Sequence, residues 1–323
     1  MVSFRDKFVS GLTARGWQTT SEYQPGFCRA ILVIGGTRRL LDVYRARHEG
    51  LPVIQRLDGL NWLHRRLDTG MRHYLRSEYG NLLLNFVRTH LADRLIYQSR
   101  FARKWWENEY GSPDKKAIVV HNGVDLEIYS DRGDHQRPIN FYRLLLVEGS
   151  LKGGYEFGLA TAIDLTRRLR QKFGLNLELS VAGRIEPDEQ KHWSGQFDVP
   201  IRWEGLVPAT QIPALDRSAH LLYSADLQAA CPNAVVEALS CGLPVLAFDT
   251  GALNELVDKS SGRVVPYGGD PWKLDPPAME DLAAGAVEII QNNSEFRVGA
   301  RRRAENHFAL SDMIDRYLEF LLE

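Results

Sequence analysis

The chain has little cysteine, and this excludes two common ways of stabilising a small fold. Its 323 residues include three cysteines, Cys28, Cys231 and Cys241, an odd number at spacings that match no zinc pattern. A disulfide framework and a structural metal are therefore not expected. The nine histidines form no cluster typical of a metal site either, and we predict a protein without bound metal.

Long hydrophobic runs are also absent. No apolar stretch approaches the ~18–20 residues that span a bilayer, and the first residues, MVSFRDKF, contain no signal-peptide core. We therefore expect a cytoplasmic location. Neither GxxxxGK nor GxGxxG occurs, so the nucleotide loops of Walker proteins and dinucleotide-binding enzymes are not predicted.

The charge balance differs between the two parts of the chain. Residues 1–138 hold 22 Lys and Arg against 15 Asp and Glu, whereas the remainder holds 18 against 26. A basic first part indicates a surface for an anionic acceptor or peripheral contact with a membrane. An ordinary solvated helix surface that carries Arg65, Arg66, Arg72 and Arg76 explains it equally well. No nucleic-acid partner is expected.

Ten short apolar runs, four before the linker and six after it, are predicted as strands and alternate with amphipathic segments, which is typical of α/β proteins with parallel sheets. The polar segment 130–140 is the clearest linker and splits the chain into two doubly wound domains, residues 1–138 and 139–310, with a final helix at 311–323. A doubly wound domain usually opens with a strand, yet this chain opens with a predicted helix at 4–15. Either the first sheet begins at Ala30, or a leading strand and loop are missing.

The segment from Pro232 to Glu255 predicts a nucleotide pocket. A turn at Pro232 leads to an N-cap at Asn233 and a short helix, which Gly242 ends before a buried strand. A loop that enters a helix N-terminus presents free N–H groups to a diphosphate. Glu237, four residues after Asn233, faces the same way and can accept hydrogen bonds from a ribose diol.

Five segments in one order resemble the retaining glycosyltransferases of family 4. They are HNGVD at 121–125, GSLKG at 149–153, VAG at 181–183, EGLV at 204–207 and the segment at 232–255. The resemblance implies the GT-B fold, in which two Rossmann-like domains face a central cleft. It also implies a metal-independent enzyme without cofactor that moves a sugar from a nucleotide diphosphate donor to an acceptor hydroxyl.

The resemblance assigns roles to residues of the second domain. Lys152 is implied as a catalytic phosphate ligand, because a lysine after a strand can neutralise the leaving diphosphate. Glu237 matches the ribose-binding glutamate of the family. The implied donor site also includes Ser150, Gly183, Arg184, Gly205, Leu206, Pro232, Asn233 and Ala234. In the family a glycine-rich loop precedes the first helix, and here that loop would fall at or before Met1.

Ala229 is the departure from the family pattern that bears on the donor sugar. Ala229 stands eight residues before Glu237, where the family has a first glutamate that contacts the donor sugar. Asp226 lies three residues before Ala229 and could reach the site if the loop is rearranged. Two alternatives therefore stay open beside a transferase: a non-catalytic or truncated protein that binds a nucleotide or nucleotide sugar, and an epimerase or phosphorylase on the same fold.

Two loops of the first domain are candidates for the acceptor side. Arg56, Asp58 and Asn61 follow a predicted strand. By the family resemblance, Asp58 occupies a position that often carries histidine or another polar residue, and we predict it as a catalytic candidate. Gly35 and Gly36 follow the strand before it and permit close approach of a ligand. A sugar, a lipid-linked molecule and another small molecule all remain open as acceptors.

Overall fold

A computed structural model describes residues 4–151, 156–196 and 199–323, and its contacts divide the chain into two compact units. The first domain comprises residues 2–123 and 310–323, and the second comprises residues 124–309. All ten predicted strands are present in these domains. None of the helices in the described ranges has the length and apolar content needed to cross a bilayer.

The first domain contains a four-stranded parallel sheet in the sequential order β1-β2-β3-β4. Its strands are β1 (Ile31–Ile34), β2 (Val53–Leu57), β3 (Arg94–Tyr97) and β4 (Lys116–Val119). Its helices are α1 (Phe4–Ala14), α2 (Leu40–His48), α3 (Met71–Phe86), α4 (Arg100–Tyr110) and α12 (Leu310–Leu322), with a 3₁₀ turn at Leu63–Arg65 and a π-helical turn at Val87–Leu91.

Alternating side chains of these strands pack against helices on both faces of the sheet. Ile54 and Ile96 contact the cluster formed by α1 and α12, which includes Phe8 and Tyr317. Strand residues whose side chains point to the other face of the sheet, such as Leu95, pack with Trp106 of α4 in a separate cluster. Because strand side chains alternate between faces, both surfaces of this parallel sheet are buried.

The second domain contains a six-stranded parallel sheet in the order β10-β9-β8-β5-β6-β7. Its strands are β5 (Tyr142–Ser150), β6 (Leu177–Arg184), β7 (Ile201–Gly205), β8 (Leu221–Ser224), β9 (Val245–Phe248) and β10 (Gly262–Val265). Its helices are α5 (Glu156–Phe173), α6 (Pro187–Gln196), α7 (Ile212–Ser218), α8 (Asn233–Ser240), α9 (Leu253–Leu256), α10 (Met279–Gln291) and α11 (Asn293–His307). This is the doubly wound order of Rossmann-type sheets.

The contacts separate the domains between Gly123 and Val124, whereas the sequence predicts a boundary at Pro138. Residues 124–138 belong to the second domain, because arginine side chains of that domain donate hydrogen bonds to the main-chain carbonyls of this segment. Arg217 donates hydrogen bonds to the carbonyls of Ser130 and Asp134, at 2.9 and 3.2 Å. The polar composition of the segment thus reflects a surface loop that is fixed to the second domain.

His220, just before β8, makes this domain sensitive to acid. Its Nδ1 accepts a hydrogen bond from the backbone N–H of Arg143 at 3.0 Å, so the ring is neutral. Burial, reinforced by the charges of nearby arginines, lowers the pKa of His220 from 6.5 to about 4. As the pH falls, His220 is protonated in the unfolded chain before it is protonated in the folded protein. The free energy of unfolding therefore keeps its full value above pH 6.5 and decreases as the pH falls toward 4, by up to about 3 kcal/mol.

We expect His220→Asn, which keeps an acceptor at the position of Nδ1, to remove this acid sensitivity. The measurement is urea unfolding of both proteins at pH 7 and pH 4.5. The wild type should lose more free energy of unfolding than the variant between these two pH values, and parallel losses would show that His220 is not responsible.

Candidate functional site

The candidate site lies where the strand order of the second sheet reverses. From β5 the chain builds β6 and β7 on one side, and it then returns to the other side of β5 to build β8, β9 and β10. The loops after β5 and β8 therefore diverge at the carboxyl edge of the sheet. Such a switch point leaves a crevice that binds ligands in open α/β folds.

The end of β5 passes very close to β6. Ser150 pairs with Arg184 after an irregularity that begins at Val147. A Cβ on Gly183 would lie 2.4 Å from the main-chain oxygen of Glu148, so only glycine permits this approach of the two strands. Lys152, the predicted phosphate ligand, lies outside the described residues.

The loop after β8 is fixed to the loop after β9 through the main chain. The carbonyl of Ala229 accepts a hydrogen bond from the Ala252 N–H at 2.9 Å, and Gln228 Oε1 accepts one from the Gly251 N–H at 3.1 Å. Gly251 has φ +59°, and a Cβ there would lie 2.5 Å from the Ala229 oxygen. Ala229 is consequently buried, at the position where the family resemblance expects a carboxylate.

Helix α8 begins one residue earlier than the sequence predicts. Asn233 is its first residue rather than its N-cap, and the N-cap is Pro232, which makes no side-chain hydrogen bond to the helix. Proline has no side-chain acceptor, so no side chain of the cap covers the positive end of this helix. The predicted diphosphate-binding position, at Asn233 and Ala234, thus remains at the start of α8.

Glu237 lies one turn into α8 and is only 2% exposed. Burial raises the pKa of Asp216 well above its ordinary value, and the charge of Glu237 raises it further. Burial and Glu237 likewise raise the pKa of Tyr129. Glu237 thus belongs to a buried group of ionisable side chains, and its role as a ribose ligand stays a prediction.

Two carboxyl groups stand at the ends of β5 and β8, and sequence reasoning missed the first of them. Burial, followed by the charge of Asp226, raises the pKa of Glu148 to about 8, and burial raises that of Asp226 to about 6. Neither group forms a hydrogen bond or an ion pair with any residue in the described ranges. A protonated Glu148 can donate a hydrogen bond and an ionised Asp226 can accept one, which suits neutral hydroxyl groups. The glutamate after the apolar run LLLV was the available signal.

Four of the predicted donor-site residues lie at the ends of the strands beyond β5. Arg184 is exposed at the end of β6, beside Gly183. Gly205 ends β7 with φ +66°, and Leu206, which follows it, is 61% exposed. Because β6 adjoins β5 in the sheet, Arg184 lies nearer the switch point than Leu206. Recognition of a base by these residues stays a prediction.

The predicted acceptor-side residues lie at the carboxyl edge of the first sheet, each close to the end of its strand. Arg56 belongs to β2 and is buried, where it donates a hydrogen bond to Asn122 Oδ1 at 2.8 Å and stacks on Phe4, 3.8 Å from the ring centroid. The sequence predicted a loop position for it, and its guanidinium instead holds the strand ends together. Asp58 follows β2 with an exposed side chain.

The remaining three candidates of this domain are held by main-chain and amide contacts. Asn61 donates from its backbone N–H and its Nδ2 to Asn81 Oδ1, at 3.0 and 3.2 Å. Gly35 has φ +68° and donates to the carbonyl of Arg56 at 2.8 Å. A Cβ on Gly36 would lie 3.3 Å from Leu84.

Metal ligands are not assembled in the part of the chain that the structure describes: it contains no group of three or more His, Cys, Asp or Glu that could hold an ion. The three cysteines are free, with Cys231 and Cys241 buried beside α8. Among the described residues, the switch point offers backbone N–H groups, a helix dipole and carboxyl groups.

Two parallel-sheet α/β domains of this kind define the GT-B fold, and solved structures of that class match this chain. Sucrose-phosphate synthase from Thermosynechococcus elongatus is 12% identical with a TM-score of 0.67, covering 99% of this chain and 79% of its own. A glycosyltransferase from Rickettsia africae is 15% identical with a TM-score of 0.66, covering 97% and 86%. HepE from Anabaena, in complex with UDP-glucose, is 17% identical with a TM-score of 0.65, covering 90% and 78%.

The chain belongs to glycosyltransferase family 4. Two models of this family match it, "Glycosyltransferase Family 4" over residues 41–128 and "Glycosyl transferases group 1" over residues 143–292. D-inositol 3-phosphate glycosyltransferase 1 of Catenulispora acidiphila is 26% identical over 245 residues, which are 70% of this chain and 56% of that protein. The corresponding protein of Geodermatophilus obscurus is 26% identical over 240 residues, 66% and 49%. The chain thus spans about half the length of these curated relatives.

Proposed function

We propose that this protein transfers a sugar from a nucleotide diphosphate donor to an acceptor hydroxyl, with retained anomeric configuration and without metal or cofactor. The observation that carries the proposal is the switch point between β5 and β8, with the N-terminus of α8 at the same edge. HepE, a structural neighbour, is solved with UDP-glucose, and the curated relatives are named as glycosyltransferases. A cytoplasmic setting, which keeps thiols reduced, agrees with the three free cysteines.

The proposed donor complex places negative charge at the start of α8. The diphosphate lies against the backbone N–H groups near Asn233 and beside Lys152, which offset the charge that develops on the leaving group. Glu237 accepts hydrogen bonds from the ribose. The hydroxyl groups of the sugar extend toward Glu148 and Asp226, which take the place of the family glutamate that Ala229 replaces here.

Calorimetric titration with UDP, GDP and ADP, followed by a donor-hydrolysis assay with the corresponding glucose nucleotides, tests this proposal. We expect one nucleotide to bind in the micromolar range and its sugar to be released or transferred. Absence of binding by all three nucleotides would overturn the donor site.

A second candidate function is a protein that binds a nucleotide sugar without turning it over. The buried Ala229 favours it, because the adjoining loops are fixed and bring no carboxylate to that position. Binding without any sugar release, in the same pair of experiments, would support this alternative over a transferase.

Replacing Glu237 by alanine is expected to weaken nucleotide affinity about tenfold or more, because a charged hydrogen-bond acceptor is lost. The measurement is the same calorimetric titration, with thermal unfolding of the variant to verify that α8 stays folded. Glu295→Ala, at an exposed position of α11, is the matched control in the same domain. Equal affinity of both variants and the wild type would remove Glu237 from the site.

A further inference from the structure

The outer side of α3 is an apolar surface that its own domain does not cover. Five large side chains recur at intervals of three or four residues and form one side of the helix. They are Met71, Leu75, Tyr79, Leu82 and Phe86, with exposed fractions between 44% and 74%. We call these residues the α3 stripe. On an ordinary protein surface, exposed hydrophobic residues are scattered singly, whereas a contiguous row of them marks an interaction surface.

The opposite side of α3 already packs against the first domain, so the stripe is not the side with which the helix joins the core. Ser77 and Asn81 are buried, and Asn81 accepts from the backbone and the amide of Asn61 while its Nδ2 donates to the Asn61 carbonyl at 2.8 Å. The helix therefore connects two surfaces: its inner side holds the loop of Asp58 and Asn61, and its outer side presents the stripe.

The charges beside the stripe have one sign. Arg72 and Arg76 each follow a stripe residue by one position and are exposed, and neither forms an ion pair within the described residues. The only acid of the helix, Glu78, is held by Arg65 at 2.6 Å and by His64 at 2.8 Å. These contacts, of which the one with Arg65 has the larger effect, lower the pKa of Glu78 to about 2. The negative charge of Glu78 is therefore balanced by the adjacent Arg65.

The segment just before α3 carries one exposed carboxylate, Asp68, beside the exposed cation Arg66. His73 Nδ1 lies 2.9 Å from Thr69 Oγ1, and Asp68, before the helix, accepts from the Gly70 N–H at 3.0 Å. Arg66 adds a further exposed cation on the same approach to the helix. An apolar stripe flanked by unpaired arginines is the pattern of a helix that lies in the plane of a membrane interface.

We propose that α3 binds the surface of a membrane that contains anionic lipid. The stripe enters the boundary between head groups and acyl chains, and Arg72 and Arg76 contact lipid phosphates. Charge complementarity selects this occupant, because Arg72 and Arg76 form no ion pair with the residues that the structure describes and anionic lipid attracts them. The loop held by Asn81, on the inner side of α3, then lies about one helix diameter, roughly 10 Å, from the lipid surface. If α3 binds a membrane, the acceptor of the proposed transferase is lipid-linked or amphipathic. This consequence rests on the proposed function, whereas the membrane contact itself does not.

Flotation with vesicles of neutral phosphatidylcholine, alone or with three-tenths phosphatidylglycerol, tests the proposal without any nucleotide. Leu75→Gln with Leu82→Gln is expected to weaken binding to the anionic vesicles by more than about tenfold, through loss of buried apolar surface. Arg72→Gln with Arg76→Gln is expected to weaken it about tenfold and to leave binding to neutral vesicles nearly unchanged. The matched control replaces two exposed apolar residues of the second domain, Ile139 (94% exposed) and Val298 (59%), by glutamine.

Failure of the wild type to float with anionic vesicles would overturn the proposal, as would equal losses in the stripe variant and the control. Concentration-dependent dimers that the stripe variant abolishes, without vesicle binding, would assign the surface to a second copy of the chain. Nucleotide titration of the stripe variant should match the wild type. The membrane surface and the transferase function can therefore fail independently.

Discussion

Replacing Lys152 by alanine is expected to lower kcat by about 10²–10³, the loss typical of removing one preorganised group that stabilises transition-state charge. In the proposed reaction the diphosphate gains negative charge as its bond to the sugar breaks, and Lys152 comes two residues after β5, the strand at the switch point, in the sequence. Ground-state binding of the nucleotide should fall less, because the proposed contacts with the helix N-terminus at Asn233 and with Glu237 remain. The measurement is initial rate under donor saturation, together with nucleotide affinity.

Lys172→Ala provides the matched control. Lys172 lies on α5 in the same domain and pairs with Glu280 at the surface, at 2.8 Å, so its loss should leave kcat unchanged. Lys152→Arg keeps the charge and should retain part of the rate. A kcat for Lys152→Ala within about threefold of the wild type would exclude this lysine from the stabilisation of the leaving group.

Gly251→Ala is expected to lower the free energy of unfolding by about 2–5 kcal/mol. A non-glycine residue at φ +59° costs about 1–2 kcal/mol. The added Cβ, 2.5 Å from the oxygen and 2.6 Å from the nitrogen of Ala229, must also displace main chain, which costs about 1–3 kcal/mol more. Because the loop after β8 leads into α8, nucleotide affinity should fall together with stability.

Gly174→Ala separates the two causes. Gly174 has a similar φ, +66°, but no heavy atom lies within 4 Å of its added Cβ. It should therefore lose only the conformational part, about 1–2 kcal/mol, and keep nucleotide affinity. Urea unfolding of both variants measures the difference. Equal losses would mean that the contact between Gly251 and Ala229 does not constrain the loops.

Much of the fold was predictable because its signals are local. Runs such as Arg143 to Val147 and Pro244 to Phe248 are short, apolar and separated by amphipathic helices, so strand and helix follow from residues that are neighbours in sequence. The family was predictable for a similar reason, since its motifs are continuous segments. The sequence predicts the boundary at Pro138 and the contacts divide the chain after Gly123, because composition describes a loop without saying which domain holds it.

The site was predictable only in part. Glu237 was placed correctly on a helix, whereas Asn233 is the first residue of that helix rather than the predicted N-cap. The burial of Glu237 and of Arg56 was not predicted, since it depends on side chains from distant segments that pack over them. Glu148 was missed because Asp226, whose charge contributes to its raised pKa, lies in the loop after β8 and is remote in sequence.

The sequence by itself determined the α/β class, the ten strands and the family, because each depends on periodicity or on motifs within short stretches of chain. The tertiary structure decided the strand order, which brings β5 beside β8 and creates the switch point. It also decided that Gly251 packs on Ala229 and that α3 turns Asn81 inward and its apolar stripe outward. These features are contacts between segments far apart in the chain, and local sequence does not specify which segments become neighbours.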